Sequence, residues 1–138
     1  MLIFVYGILR KGYENNFLLG NSKYLGSYYT LDKFHMVYDQ NLSYPILLTK
    51  SIFNEDTSNY IYGDVFEIND DIYKKLEIYT DNKKYNLNRI EIKSVNQNKN
   101  IFAYIYLLNN DCENNIINIH LQKYITLKPI PSGDWSKK

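Results

Sequence analysis

The chain has no second cysteine. Cys112 stands alone among 138 residues, so the fold cannot rest on an internal disulfide, and a reducing cytosol is the simplest compartment. Long apolar runs are also missing. None approaches the length that crosses a bilayer. Arg10 and Lys11 follow the short apolar start rather than precede it, so it does not read as a signal peptide. Charge of one sign is not in excess. Sixteen Lys and Arg meet fifteen Asp and Glu, a formal net charge of +1. That balance argues against a nucleic-acid partner and against an anionic membrane surface.

Metal-ligand spacing is absent too. His35 and His120 have no second His or Cys at ligand distance along the chain, so no metal site is expected. No Ser sits in a nucleophile-elbow context. Cys112 lies in an Asn- and Asp-rich stretch with nothing to activate it. Glycine is scarce, at six residues, while tyrosine is abundant, at fifteen. That bias lowers the weight of any single Tyr as a functional signal.

What remains is an ordinary globular composition, 45% hydrophobic and 22% charged, long enough for one domain over residues 1–138. Leu2 to Tyr6 reads as a buried strand that breaks at Gly7, and Gly12 follows before a short helix-like segment, Tyr13 to Leu19. Two strands with a bend are expected over Tyr24–Tyr29 and Lys33–Tyr38, and another at Tyr44–Leu48, with Pro45 near its start. Tyr60–Ile68 alternates as a strand should. Asn69-Asp70-Asp71 forms a cap cluster for a helix carrying Ile72, Leu76 and Tyr79 on one stripe and ending near Thr80. Asp81 to Lys84 reads as a turn. Tyr85–Val95 and Ile101–Leu108 read as strands joined by a turn. A last helix is expected from Glu113 to Tyr124, with Ile116, Ile117, His120 and Tyr124 near one stripe. The tail is extended by Pro129 and Pro131, and Trp135 is expected to dock it. This order implies an α+β domain with a mixed or mainly antiparallel sheet that can curl into a barrel.

Two stretches could carry chemistry. The Gly7–Gly12 loop lacks the endings of phosphate-binding and dinucleotide-binding loops. It is either a loop whose backbone N–H groups take an anion or amide oxygen, or a plain strand-to-helix turn. The carboxylates Asp64, Glu67, Glu77 and Asp81 lie around the strand and helix expected to return towards the first strand. A general base must come from a partly buried carboxylate. A solvated helix face is the plain alternative for each of them.

The ordered set of motifs resembles the γ-glutamylcyclotransferase-like (AIG2-like) superfamily. Tyr6-Gly7-Ile8-Leu9-Arg10 with Gly12 and Asn15-Asn16 is similar to its "Tyr-Gly-Ser/Thr-Leu-Arg … Gly … Asn" opening. Leu25-Gly26, Tyr44-Pro45, Ile61–Ile68, Tyr85 with Arg89, and Ala103–Tyr106 follow in the family's order. The ending Ser132-Gly133-Asp134-Trp135 resembles that of the YtfP-like branch. The resemblance implies a small mixed β-barrel flanked by short helices, with a pocket at the opening loop. It implies release of 5-oxoproline from γ-glutamyl compounds without metal or cofactor, the substrate's own α-amino group attacking its γ-carbonyl. Tyr6, Gly7, Ile8, Leu9 and Tyr85 would then bind the substrate, a small γ-glutamyl-like molecule. The family's catalytic Glu falls four residues after the helix Leu, which here is Thr80. Asp81 is adjacent and is the first candidate base. Glu77, one turn back, is the second. Ile8 replaces the usual hydroxyl residue. The alternatives are a non-catalytic small-molecule binding member of the same fold and a protein-interaction domain.

Overall fold

The computed structural model describes residues 1–138. Seven strands, two α-helices and two single 3₁₀ turns follow one another along the chain. The strands are β1 (Leu2–Val5), β2 (Lys23–Asp39), β3 (Ile46–Leu48), β4 (Asn59–Glu67), β5 (Tyr85–Ser94), β6 (Asn100–Leu108) and β7 (Leu127–Pro129). The helices are α1 (Asp70–Tyr79) and α2 (Asn110–Leu121). No helix is long and apolar enough to cross a membrane.

Five strands close a mixed barrel in the order β5-β2-β4-β1-β6, with β6 pairing back onto β5. All contacts round the barrel are antiparallel except β1 with β6, where Ile3 sits opposite Tyr104. The short strands β3 and β7 both pair with the second half of β2, outside the barrel.

The strand β2 does most of the joining. It was expected as two strands and is one strand of 17 residues. It bends twice against β4, with register shifts between Tyr24 and Gly26 and between Tyr29 and Lys33. Such shifts let a strand turn a barrel corner without ending. Gly26 takes φ of 122° at the first, a conformation open to glycine.

Inward residues from all five barrel strands pack together, among them Phe4, Tyr28, Ile61, Val65, Ile92 and Ile105, and Trp135 and Ile130 of the tail join them. The tail is therefore docked by Trp135, as expected. Ile3 and Val5 point the other way and meet Phe66, Ile72 and Leu76, so α1 covers the outer face of β1. That explains the unbroken apolar run at the start: β1 is buried on both faces. A third cluster of Val37, Ile46, Leu48 and Leu127 lies beneath α2.

Both helices are capped by Asn, the first at the Asn69 expected from the sequence and the second at Asn109. Asn69 Oδ1 accepts from Ile72 N at 2.9 Å, and Asn109 Oδ1 accepts from Cys112 N at 2.8 Å. The second helix starts at Asn110, earlier than expected, and ends at Leu121. Tyr124 therefore falls off the apolar stripe and is 79% exposed. The expected helix over Tyr13–Leu19 is only a 3₁₀ turn at Asn16–Leu19. Glycines at 12 and 20 bound a segment too short to sustain an α-helix.

Candidate active site

A cleft of about 330 Å³ opens where β1 ends. One wall is the loop Tyr6–Leu9. Tyr44 and Pro45, just ahead of β3, face it. The end of α1 contributes Tyr79, Thr80 and Asp81, and Lys84, Tyr85 and Tyr106 complete the lining with Phe4 and Val5 of β1. Residues from five separate stretches thus meet at one barrel end.

The loop is built tightly. Arg10 N donates to Gly7 O at 3.1 Å, and Asn15 N donates to Ile8 O at 3.0 Å. The N–H groups of Gly7, Ile8 and Leu9 donate to no protein acceptor. Three successive unpaired donors beside a cleft are suited to a carboxylate or carbonyl oxygen. Gly7 is needed for contact, because a Cβ there would lie 2.8 Å from Pro45 Cδ.

A charged clasp holds the loop from behind. Asp64, buried in β4, accepts from Lys11 N at 2.9 Å and from Ser27 Oγ at 3.2 Å. Arg10 Nε lies 3.4 Å from the same carboxylate, an ion-pair contact without hydrogen-bond alignment. Arg10 Nη1 also donates to Asp134 in the tail at 3.1 Å. Burial raises the Asp134 pKa, but hydrogen bonds from Ser136 and the Arg10 charge outweigh it, so its carboxyl stays below the usual range. The Arg of the opening motif is thus a strut between the loop, the barrel and the tail. In the sequence Asp64 stands in the Ile61–Ile68 motif and among the carboxylates that could act as a base, and Asp134 stands in the ending motif. Partners 53 and 124 residues apart give no local signal.

Three tyrosines form the floor and one side. Tyr6 donates its hydroxyl to Tyr106 O at 3.0 Å, and Tyr106 donates its own to Glu77 Oε1 at 2.8 Å. Burial pushes the Tyr6 phenol far above its ordinary value. Tyr106 is raised similarly by burial and then by its bond to Glu77. Burial pushes Tyr85 up to about 12. All three are neutral hydroxyls at physiological pH.

The acid candidates separate clearly. Thr80 caps α1, and its Oγ1 donates to Leu76 O at 2.8 Å. Asp81 follows with φ of 59°, the left-handed position that ends many helices and that Asp tolerates. Its Oδ1 accepts from Lys83 N at 3.1 Å, and Lys84 Nζ lies 4.0 Å from Oδ2. Asp81 is the only carboxylate lining the cleft. Glu77 is not in the lining and stands behind Tyr106. Tyr6, Gly7, Ile8, Leu9, Thr80 and Tyr85 all line the cleft. Tyr79, Lys84 and Tyr106 were not singled out for the site. Tyr106 was named within its strand motif, but nothing in a strand's alternation shows that its outward side meets a helix end.

The family described as "Gamma-glutamyl cyclotransferase, AIG2-like" matches residues 3–137. The chain belongs to this family. Among its relatives is a Drosophila melanogaster protein named "Putative gamma-glutamylcyclotransferase CG2811". It is 30% identical over 113 residues, which span 78% of this chain and 69% of that protein. The solved structure of YkqA from Bacillus subtilis is 26% identical with a TM-score of 0.64; the match covers 97% of this chain but only 39% of that one. A mouse AIG2-like protein shares the fold at 18% identity and a TM-score of 0.65, over 77% of this chain and 75% of its own. The γ-glutamylcyclotransferase-like fold is the closed mixed barrel described above.

Proposed function

We propose that this chain releases 5-oxoproline from a γ-glutamyl amine or amino acid, with Asp81 as the base. The observation that carries this reading is the sharing of one cleft by Asp81 and the unpaired N–H groups of Gly7, Ile8 and Leu9. The loop donors hold the glutamyl end. The substrate's α-amino nitrogen attacks the γ-carbonyl carbon, closing a five-membered ring. Asp81 takes the proton that the amine loses. The bond to the leaving amine breaks, and protonated Asp81 returns the proton to that amine. Neutral Tyr85 offers a hydroxyl donor without competing for the proton, while the Tyr106 hydroxyl is engaged by Glu77. Every proton is accounted for by this chain and its substrate. The Ser132–Trp135 ending supports a place in the YtfP-like branch, and the free thiol of Cys112 fits a cytoplasmic setting.

One observation favours a second reading, a small-molecule binding protein with no turnover. Asp81 is held in its own turn by Lys83 N and faces Lys84, and the Thr80 hydroxyl is tied to Leu76 O. The two readings divide on one experiment. The protein is incubated with a panel of γ-glutamyl amines and peptides, and 5-oxoproline is measured. Turnover that falls at least about 100-fold in Asp81→Asn supports the first reading. Binding without product from any compound sinks it in favour of the second. In that case Thr80→Glu tests whether only the acid is lacking: 5-oxoproline formation by the variant is the outcome expected of a cleft otherwise intact.

A further inference from the structure

Two walls of the cleft are held from behind by one turn of α2. Asn109 caps that helix with its side-chain oxygen, and its donors go elsewhere. Its N–H donates to Lys84 O at 2.8 Å, and its Nδ2 donates to Lys83 O at 2.7 Å. Lys84 and Tyr85 in turn donate their N–H groups to Asp81 O at 2.9 and 3.1 Å. The turn that carries Asp81, Lys84 and Tyr85 into the cleft is therefore tied to the start of α2.

Glu113 lies one helical turn further on, and its N–H donates to Asn109 O at 2.9 Å. It is 2% exposed and forms no ion pair. Its carboxylate accepts instead from Thr49 N, from the Thr49 hydroxyl and from Lys50 N at 3.2 Å. Thr49 and Lys50 directly follow β3, and Tyr44 and Pro45 directly precede it. This strand has only three residues and pairs with β2 alone. Pro45 at its head packs against Gly7 of the loop, where a Cβ would lie 2.8 Å from Pro45 Cδ. Burying a carboxylate without a cation is costly, and an apolar side chain of similar size would serve stability as well. What the carboxylate adds is direction. Donors on two consecutive residues fix where the end of β3 lies.

Building on the proposed γ-glutamyl site, we propose that the first turn of α2 is a bracket that sets the width of the cleft. Glu113 positions the Tyr44–Pro45 wall against the loop, and Asn109 positions the Asp81–Tyr85 wall. Neither residue lines the cleft, and both act through the main chain of others. The width decides whether Asp81 and the loop donors reach one substrate together.

Each anchor is tested first without a ligand. Glu113→Leu keeps most of the volume and removes the acceptor. Thermal unfolding should still be cooperative, while nuclear Overhauser contacts between Pro45 Hδ and Gly7 Hα are lost. Glu113→Gln keeps an oxygen for Thr49 N and Lys50 N and should retain those contacts. Thr49→Val, at an exposed position, loses only the hydroxyl contact and should weaken them. Asn109→Ser keeps an oxygen for the cap but loses the donor to Lys83 O. Exchange of the Lys84 and Tyr85 amides should then rise about three- to tenfold, with the Cys112 amide still protected. Binding of γ-glutamyl-glycine is read by calorimetry and its turnover by 5-oxoproline release. Glu113→Leu and Asn109→Ser should lower kcat/KM at least about tenfold, with Glu113→Gln near the parent. Unchanged Pro45–Gly7 contacts in Glu113→Leu overturn the proposal, as do unchanged contacts in Thr49→Val should the leucine variant not fold. Exchange in Asn109→Ser that rises nowhere, or evenly along the chain, overturns it too. So does parental binding and turnover in variants whose walls have moved. A parent that neither binds nor turns over the probe sinks the proposed function instead, and the ligand-free measurements still judge the bracket.

Discussion

Replacing Asp64 by Asn tests the clasp behind the loop. The carboxylate's side chain is 4% exposed and serves Lys11 N, Ser27 Oγ and the Arg10 guanidinium at once. The amide keeps the shape but loses the charge. One amide oxygen can still accept from Lys11 N, and the Ser27 hydroxyl can turn round to accept from the new NH₂. Those two contacts fall from charge-assisted to neutral bonds, a loss of about 1 kcal/mol in total. Arg10 fares worse. Removing one partner of a buried ion pair costs about 3–5 kcal/mol when the other is left alone. Here Asp134 still holds Nη1 at 3.1 Å, and the Arg10 side chain keeps some contact with water, so we take about 1–2 kcal/mol of that figure. The sum is about 2–3 kcal/mol. For a chain of 138 residues, at roughly 4 °C per kcal/mol, the melting temperature should drop by about 8–12 °C. Urea unfolding gives the free energy directly, and amide exchange should show Arg10, Lys11, Tyr13 and Asn15, the hydrogen-bonded amides of the loop, losing protection ahead of the barrel strands. A variant within about 0.5 kcal/mol of the parent, with unchanged exchange in the loop, would refute the view that Asp64 anchors the loop.

Two further outcomes follow from the same geometry. Gly7→Ala should cost about 1–3 kcal/mol by overpacking and weaken ligand binding, because its Cβ would lie 2.8 Å from Pro45 Cδ in a rigid ring; the same denaturation and calorimetry experiments read it. Tyr6, Tyr85 and Tyr106 all have folded pKa values above the 10.0 of a free tyrosine. Their contribution to stability is therefore complete below pH 10 and declines as pH rises past it, through about 12 for Tyr85. Tyrosinate absorbance should show a fraction of the fifteen tyrosines titrating only as the barrel unfolds; smooth titration of all of them near pH 10 with no loss of fold would contradict the burial assigned to these three.

Much of this could be read from the residues, and the reasons are physical. Alternation found β4, β5 and β6 because each strand has one face inside the barrel. Asn69 and the acidic pair after it marked the start of α1 because unpaired N–H groups want that chemistry. The continuity of β2 was hidden because a bulge and a break look alike in a sequence. Gly26 and the polar Asp32-Lys33 pair mark corners here rather than ends. The loop's place in a cleft was legible through its motif. The role of Arg10 was not, since its charge is answered from β4 and from the tail, each far away in the chain. Glu77 also misled by position. It sits one turn before Thr80, yet its carboxylate is spent on the Tyr106 hydroxyl.

The length of β2 bears on how the chain is made. Strands in globular proteins commonly run three to ten residues, and this one runs 17 and takes part in four of the seven strand pairings. On a ribosome it emerges well before the strand that closes its other edge, which ends only at Ser94, 55 residues after Asp39. At about 5–20 residues per second, that edge waits roughly 3–11 s for its partner. During that time the nascent chain carries an unpaired, tyrosine-rich edge that invites pairing with other chains. Yield in the cell should therefore depend on translation speed across residues 40–94 and on chaperone supply, even for variants whose finished barrel is fully stable.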